Sequence, residues 1–227
     1  MSNDQNTDGR NESTIVTLTH NRVELALHQL RGGTGRALLL LHGLGESSPG
    51  TVPDAVAAWP GPVHALDFTG HGRSTMPIGG GYTAEILMAD ADAAVQHLGQ
   101  VTVVGRGLGA YIGLLIAGAR APQVVGAVLA DGPGLSGGPS VATSQPVFSL
   151  DRVDAAPDPY AIVELGRDLR PPDYATAFSR LALQGSDLDQ PITVAAKFRP
   201  AWLAAVAEEP GVAEATCVAA ALSTYTD

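Results

Sequence analysis

Five apolar runs of strand length punctuate this chain: ALLLLHG (37–43), PVHALDF (62–68), VTVVG (101–105), VVGAVLADG (124–132) and PITVAA (191–196). Unbroken runs of this kind fit strands buried on both faces, as in a parallel sheet. Helical patterns lie between them. Residues 83–98 bring Ile86, Leu87, Ala94, Val95 and Leu98 toward one side, with Asp90 and Asp92 elsewhere, and residues 108–119 are almost wholly apolar. Strands alternating with helices build a parallel sheet covered on both faces, joined by right-handed crossovers. Ahead of them, STIVTLTH (13–20) and RVELALHQ (22–29) alternate apolar and polar residues, which predicts a β-hairpin with Val23, Leu25 and Leu27 on one face.

The rhythm breaks over 137–190, which opens with Gly, Pro and Ser and holds only two short helical patterns, 160–169 and 174–183. This stretch reads as a small helical lid inserted over the C-terminal edge of the sheet; the alternative is a long surface connection. The expected organisation is a disordered polar tail at 1–12, a core made of 13–136 and 191–227, and the lid at 137–190.

Composition narrows the partners. The formal net charge is −10 over 227 residues, so phosphate backbones and anionic membrane surfaces have no electrostatic reason to bind. The apolar runs are short and broken by Gly, Pro or charge, which gives no membrane-spanning helix, and MSNDQNTDGRNES lacks the basic start and apolar stretch of a secretory signal. The single cysteine, Cys217, rules out an intrachain disulfide and favours a reducing cytoplasm. The histidines lack ligand spacing, so no metal site is expected, and no Gly-x-Gly-x-x-Gly follows the first strand, so no nicotinamide cofactor is either. Lys197 is the only lysine among many Ala, Gly and Arg, a codon bias of a GC-rich bacterial genome with no functional weight.

Three segments then line up in order. LLLLHGLG (38–45) resembles the His-Gly-x-Gly turn after the third strand of α/β-hydrolases, ALDFTGHGRS (65–74) their Asp-x-x-Gly-His-Gly-x-Ser segment after the fourth, and VVGRGLGA (103–110) their nucleophile elbow after the fifth. The resemblance covers residues 13–135 well and the remainder loosely. It implies the α/β-hydrolase fold: a mostly parallel eight-stranded sheet flanked by helices, with a lid. It also implies a catalytic Ser…Asp/Glu…His order, which this sequence does not supply. The nucleophile position is Gly107. All six histidines (His20, His28, His42, His64, His71 and His97) precede the position after the last strand where the resemblance calls for one. The acid position runs into KFRPAW, although some relatives take the acid from the preceding strand end, where Asp131 stands.

Glycine reaches the strained backbone of an elbow at little steric cost, so Gly107 keeps the turn while removing the reactive atom. What the resemblance preserves is an oxyanion-hole frame: the backbone N–H groups of Leu108 and of Leu44, beside the helix N-terminus and the Arg106 charge. These imply a pocket for a small carbonyl- or anion-bearing ligand, formed by Leu44, Arg106, Gly107 and Leu108. Arg106 reads equally as half of an ion pair, and Asp131 as a loop cap. His42, Asp67, His71 and Ser74 belong to motifs that mostly hold loops together, with His42 the best placed to reach the pocket. Asp131 and His42 are thus the candidates for any relocated chemistry on small esters or related substrates. The favoured expectation is a protein without serine-hydrolase activity that binds a small molecule or a protein partner. Trp202 reads as a packing anchor on a helix.

Overall fold

The computed structural model describes residues 14–20, 22–139, 149–151 and 153–226. The tail expected at 1–12, and positions 140–148 and 152 of the expected lid, lie outside the described residues. The hairpin forms as β1 (Thr14–His20) and β2 (Val23–Arg31), antiparallel from Thr14 opposite Gln29 to His20 opposite Val23. Leu25 and Leu27 enter the main core and Val23 packs at its margin, as the alternation predicts. The buried runs become β3 (Ala37–Leu41), β4 (Val63–Leu66), β5 (Val101–Arg106), β6 (Val124–Ala130) and β7 (Ile192–Val194). A short eighth strand, β8 (Val212–Glu214), has only intermediate or exposed side chains and therefore no apolar run to announce it.

The eight strands lie in the order β1-β2-β4-β3-β5-β6-β7-β8. All pairs from β4 to β8 are parallel. One face is covered by α1 (Ala84–Leu98), α2 (Leu108–Ala119), α4 (Pro172–Gly185) and α5 (Ala201–Ala207), which bury Leu87, Ile112, Ala182 and Trp202 among others. α3 (Pro159–Arg167) precedes α4, started by the Asp158 side chain, which accepts the Tyr160 N–H, and by proline at the first turn. Of the expected lid, α4 packs in the helical layer beside α2 and α5, and α3 lies against Gly45 and Leu44 near the strand ends.

The other face is covered differently. Between β3 and β4 there is only one 3₁₀ turn, Asp54–Val56, and after β8 the five-residue α6 (Val218–Leu222). Their core is smaller and centres on Leu38, Leu40, Trp59, Val63, Ala65, Val104, Val128 and Tyr225. Among the described residues no helix is long and apolar enough to cross a membrane.

One expectation fails on α1. Ile86 is exposed, whereas Asp90 is fully buried on the core side. The 3.6-residue period sets Ala84, Leu87, Ala91 and Ala94 inward with Asp90 at their edge. Asp90 is tolerated there because Thr69 satisfies it twice, through its N–H at 2.8 Å and its hydroxyl at 2.9 Å. Burial pushes the Asp90 carboxyl up, against those bonds and the neighbouring His20.

Asp67, at the end of β4, ties the loops at this edge. It accepts from His28 Nε2 at 2.9 Å, the Ser48 N–H at 2.6 Å and the Arg73 N–H at 2.8 Å. Burial alone would raise its pKa, but the sum of these bonds holds it well below the usual carboxylate range. Ser74 completes the tie, its hydroxyl donating to the Asp67 carbonyl and accepting the Ala26 N–H. Asp67→Ala leaves three donors without an acceptor and is expected to lower stability by about 3–5 kcal/mol, read by urea denaturation.

Candidate functional site

β5 ends in Arg106 and α2 begins at Leu108, so the whole reversal falls on Gly107, with φ 60° and ψ −122°. Gly109, one turn in, brings the start of α2 onto the end of β3: its N–H donates to the His42 carbonyl, and a Cβ there would lie 2.6 Å from that oxygen. The Leu44 and Leu108 amides, the two expected to frame an oxyanion hole, point at one oxygen.

Both amides are already engaged. The Pro133 carbonyl accepts the Leu44 N–H at 3.0 Å and the Leu108 N–H at 2.9 Å. The peptide that carries it, in the loop after β6, lies where an elbow side chain would stand. A Cβ on Gly107 would come within 2.6 Å of the Gly132 carbonyl carbon and 2.8 Å of the Pro133 carbonyl carbon, and nearer still to the Pro133 oxygen. Gly107 is thus required twice, once by its positive φ and once by lack of space.

The loop is also gripped from behind. Arg170, 2% exposed, donates through Nη1 to the Gly134 carbonyl and, at 2.7 Å, to the Leu135 carbonyl. Trp202, buried on α5, donates Nε1–H to the Leu135 carbonyl at 2.8 Å. The Arg170 guanidinium lies 4.9 Å from the Tyr111 ring, whose edge contact with Trp202 closes the group. Burial pushes Arg170 down to about 10, with Asp168 opposing. It remains a cation at neutral pH.

The candidate catalytic residues, Asp131 and His42, both hold hydrogen bonds within the chain. Asp131 accepts the Lys197 N–H at 2.7 Å and the Phe198 N–H at 3.0 Å, which is the loop-cap geometry. His42 donates Nδ1–H to the Gly43 carbonyl at 2.8 Å and accepts the Phe68 N–H on Nε2 at 3.1 Å. Burial, then the neighbouring His71, pulls its pKa from 6.5 to about 4. His71 is likewise buried and depressed, between the Thr69 carbonyl and the Gly45 N–H. Arg106 pairs with Glu46, and Glu46 also accepts the Gly43 N–H at 2.9 Å. At the strand ends where the resemblance calls for an acid and a histidine, Arg199 instead makes a two-point bond with Glu214 at 3.1 and 2.8 Å.

A cavity of about 500 Å³ lies at the same sheet edge but on the thinly covered face, with Leu40, Ala65, Val104 and Ala130 in its wall. It takes in His42, Arg106 and Asp131 from the expected site, and not Leu44, Gly107 or Leu108. Sequence reasoning missed Pro133 and Arg170. The one available signal was DGPG (131–134), a glycine-flanked proline directly after a strand.

A family model described as the alpha/beta hydrolase family matches residues 38–225. The chain belongs to the α/β-hydrolase family. Similar solved structures include an epoxide hydrolase from Vigna radiata, 26% identical over 57% of this chain and 41% of that one, with a TM-score of 0.48. Another is the thioesterase domain from the curacin biosynthetic pathway, 23% identical over 53% and 44%, TM-score 0.47. A third is the haloalkane dehalogenase DatA from Agrobacterium tumefaciens C58, 23% identical over 53% and 41%, TM-score 0.46. The match spans less than half the length of each of these chains. No curated protein matches the chain.

Two outcomes follow from this geometry. Gly107→Ser must displace the Pro133 peptide or strain the elbow, and is expected to cost roughly 2–4 kcal/mol in urea denaturation. His42 binds fewer protons in the folded than in the unfolded state between pH 6.5 and about 4. Its contribution is therefore full above pH 6.5 and lost as pH falls through that window, on the order of 3 kcal/mol. Stability measured at pH 7.5 and pH 4.5 should fall less in His42→Gln than in the parent. Asp90, raised by burial, acts in the opposite sense but is common to both proteins.

Proposed function

We propose that this protein is a member of the α/β-hydrolase family without serine-hydrolase activity, and that it acts by binding a small molecule or a protein partner. The observation that carries the reading is the Pro133 carbonyl on the Leu44 and Leu108 amides. An oxyanion hole works by offering preorganised donors to the charge that develops on a substrate oxygen. Here a peptide carbonyl of the chain itself takes those donors, and the glycine beneath it offers no nucleophile. The sequence supports the same reading, since no histidine follows His97.

The second reading is a hydrolase or lyase with relocated residues. Serine enzymes stripped of triad residues can retain roughly 10³–10⁴-fold acceleration, but that remainder comes from the oxyanion hole and substrate binding. Against it stand the filled oxyanion-hole donors and both His42 nitrogens engaged.

The test is hydrolysis of short- and medium-chain aryl esters by the purified protein beside Asp131→Asn and Arg106→Ala. The expected rate equals that of buffer in all three. A rate well above buffer that either substitution abolishes overturns the proposal and identifies a participant.

A further inference from the structure

The geometry points to the 500 Å³ cavity on the thinly covered sheet face as a binding site for a compact hydrophobic amine, with its ammonium head at Asp131. This deepens the binding reading above and moves the ligand from the filled elbow to the opposite side of Arg106. The cavity has a structural origin. The β4–β5 and β5–β6 crossovers each carry a long helix, α1 and α2, whereas the β3–β4 connection carries one 3₁₀ turn. Small side chains at Ala65 and Ala130 deepen the space that this leaves, and Val56 and Val218 flank it. Its volume falls in the range of small-molecule pockets, and its wall is mainly apolar with a few polar groups on one side, as such sites are.

The charges select the head group. Three charged side chains line the cavity: Glu46, Arg106 and Asp131. Arg106 and Glu46 neutralise each other. Asp131 is not paired in this way: its carboxylate accepts two backbone N–H bonds, and among the described residues it has no cationic side chain in ion-pair contact. A carboxylate can accept about four hydrogen bonds, so two positions remain for a ligand. The rim is therefore net negative, in a chain whose net charge is −10. A carboxylate or phosphate head would meet an engaged arginine and a free aspartate. An ammonium head is attracted to the aspartate instead, and two of its three N–H donors can fill the two open acceptor positions. The anion-bearing ligand expected from Arg106 is thus disfavoured in this cavity.

The test uses three probes that share one apolar body: cyclohexylmethylamine, cyclohexylmethanol and cyclohexanecarboxylate. Binding to the full-length protein is measured by calorimetric titration, with the ester assay run on the same sample. The amine is expected to bind about tenfold more tightly than the alcohol, with the carboxylate weakest. Val104→Phe fills the cavity and should abolish amine binding, while Asp131→Asn should reduce the amine to the level of the alcohol. Circular dichroism checks that both variants fold, and the comparison of head groups on the parent protein stands without them. Equal binding of amine and alcohol, preference for the carboxylate, no binding of any probe, or amine binding that survives Val104→Phe in a folded protein overturns the inference. Ester hydrolysis together with amine binding would overturn the reading of a non-hydrolytic protein and leave the cavity assignment standing. Failure of amine binding without hydrolysis would do the reverse.

Discussion

One peptide carbonyl, that of Pro133, holds the functional edge of this protein in its present form. The fold brings the ends of β3 and β5 together and thereby leaves two amide donors, Leu44 and Leu108, pointing at one place. Each would cost about 1–3 kcal/mol if buried without a partner. In a site that turns over substrate, solvent and ligands satisfy such donors in alternation. Here the chain supplies the acceptor, and it can do so only because residue 107 has no side chain: a Cβ would overlap the peptide that carries the carbonyl. Glycine at the elbow and the inward loop after β6 are two halves of one arrangement.

The loop is specified from both sides. Asp131 is anchored by the amides after β7, Pro133 faces the elbow, and the Gly134 and Leu135 carbonyls turn the opposite way toward Arg170 and Trp202. Burying a guanidinium is expensive, and the surroundings compensate with carbonyl acceptors, the Tyr111 face and the nearby Asp168. Removing Arg170 would strand those carbonyls in a space closed to water.

The sheet was largely legible in the sequence because burial on both faces writes itself as apolar runs, and β3 to β6 fall within a residue or two of them. β8 was not, because its three residues are half-exposed and carry no such pattern. On α1, periodicity placed the alanines and Leu87 correctly and misplaced Asp90, whose burial depends on donors from Thr69, a residue distant in sequence. Asp131 shows the same limit: its residue type allowed a catalytic acid or a loop cap, and its bonds to the Lys197 and Phe198 amides, distant in sequence, could not be read from it. For Pro133, DGPG signals a turn but not what the turn does, for a deeper reason. Its role is played by a backbone oxygen, which every residue possesses, so no residue type records it.

The thin face follows from local chemistry as well. The β3–β4 connection contains Pro49, Pro53, Pro60 and Pro62, which remove amide donors and exclude helix from the segments they interrupt. A long helix there would have covered Leu40, Ala65 and Val104, as α1 and α2 cover the other face. Its absence leaves apolar strand ends beside a rim whose arginine is already paired. Exposed ion pairs add little to stability, and the Arg106–Glu46 pair is half-exposed on the arginine side. Its effect is on the field: it cancels the one positive charge that would have drawn an anion toward the elbow, and leaves Asp131 to set the sign of the opening. The same edge therefore carries a proline carbonyl on the elbow amides and, on the other side of the sheet, a recess whose rim is net negative.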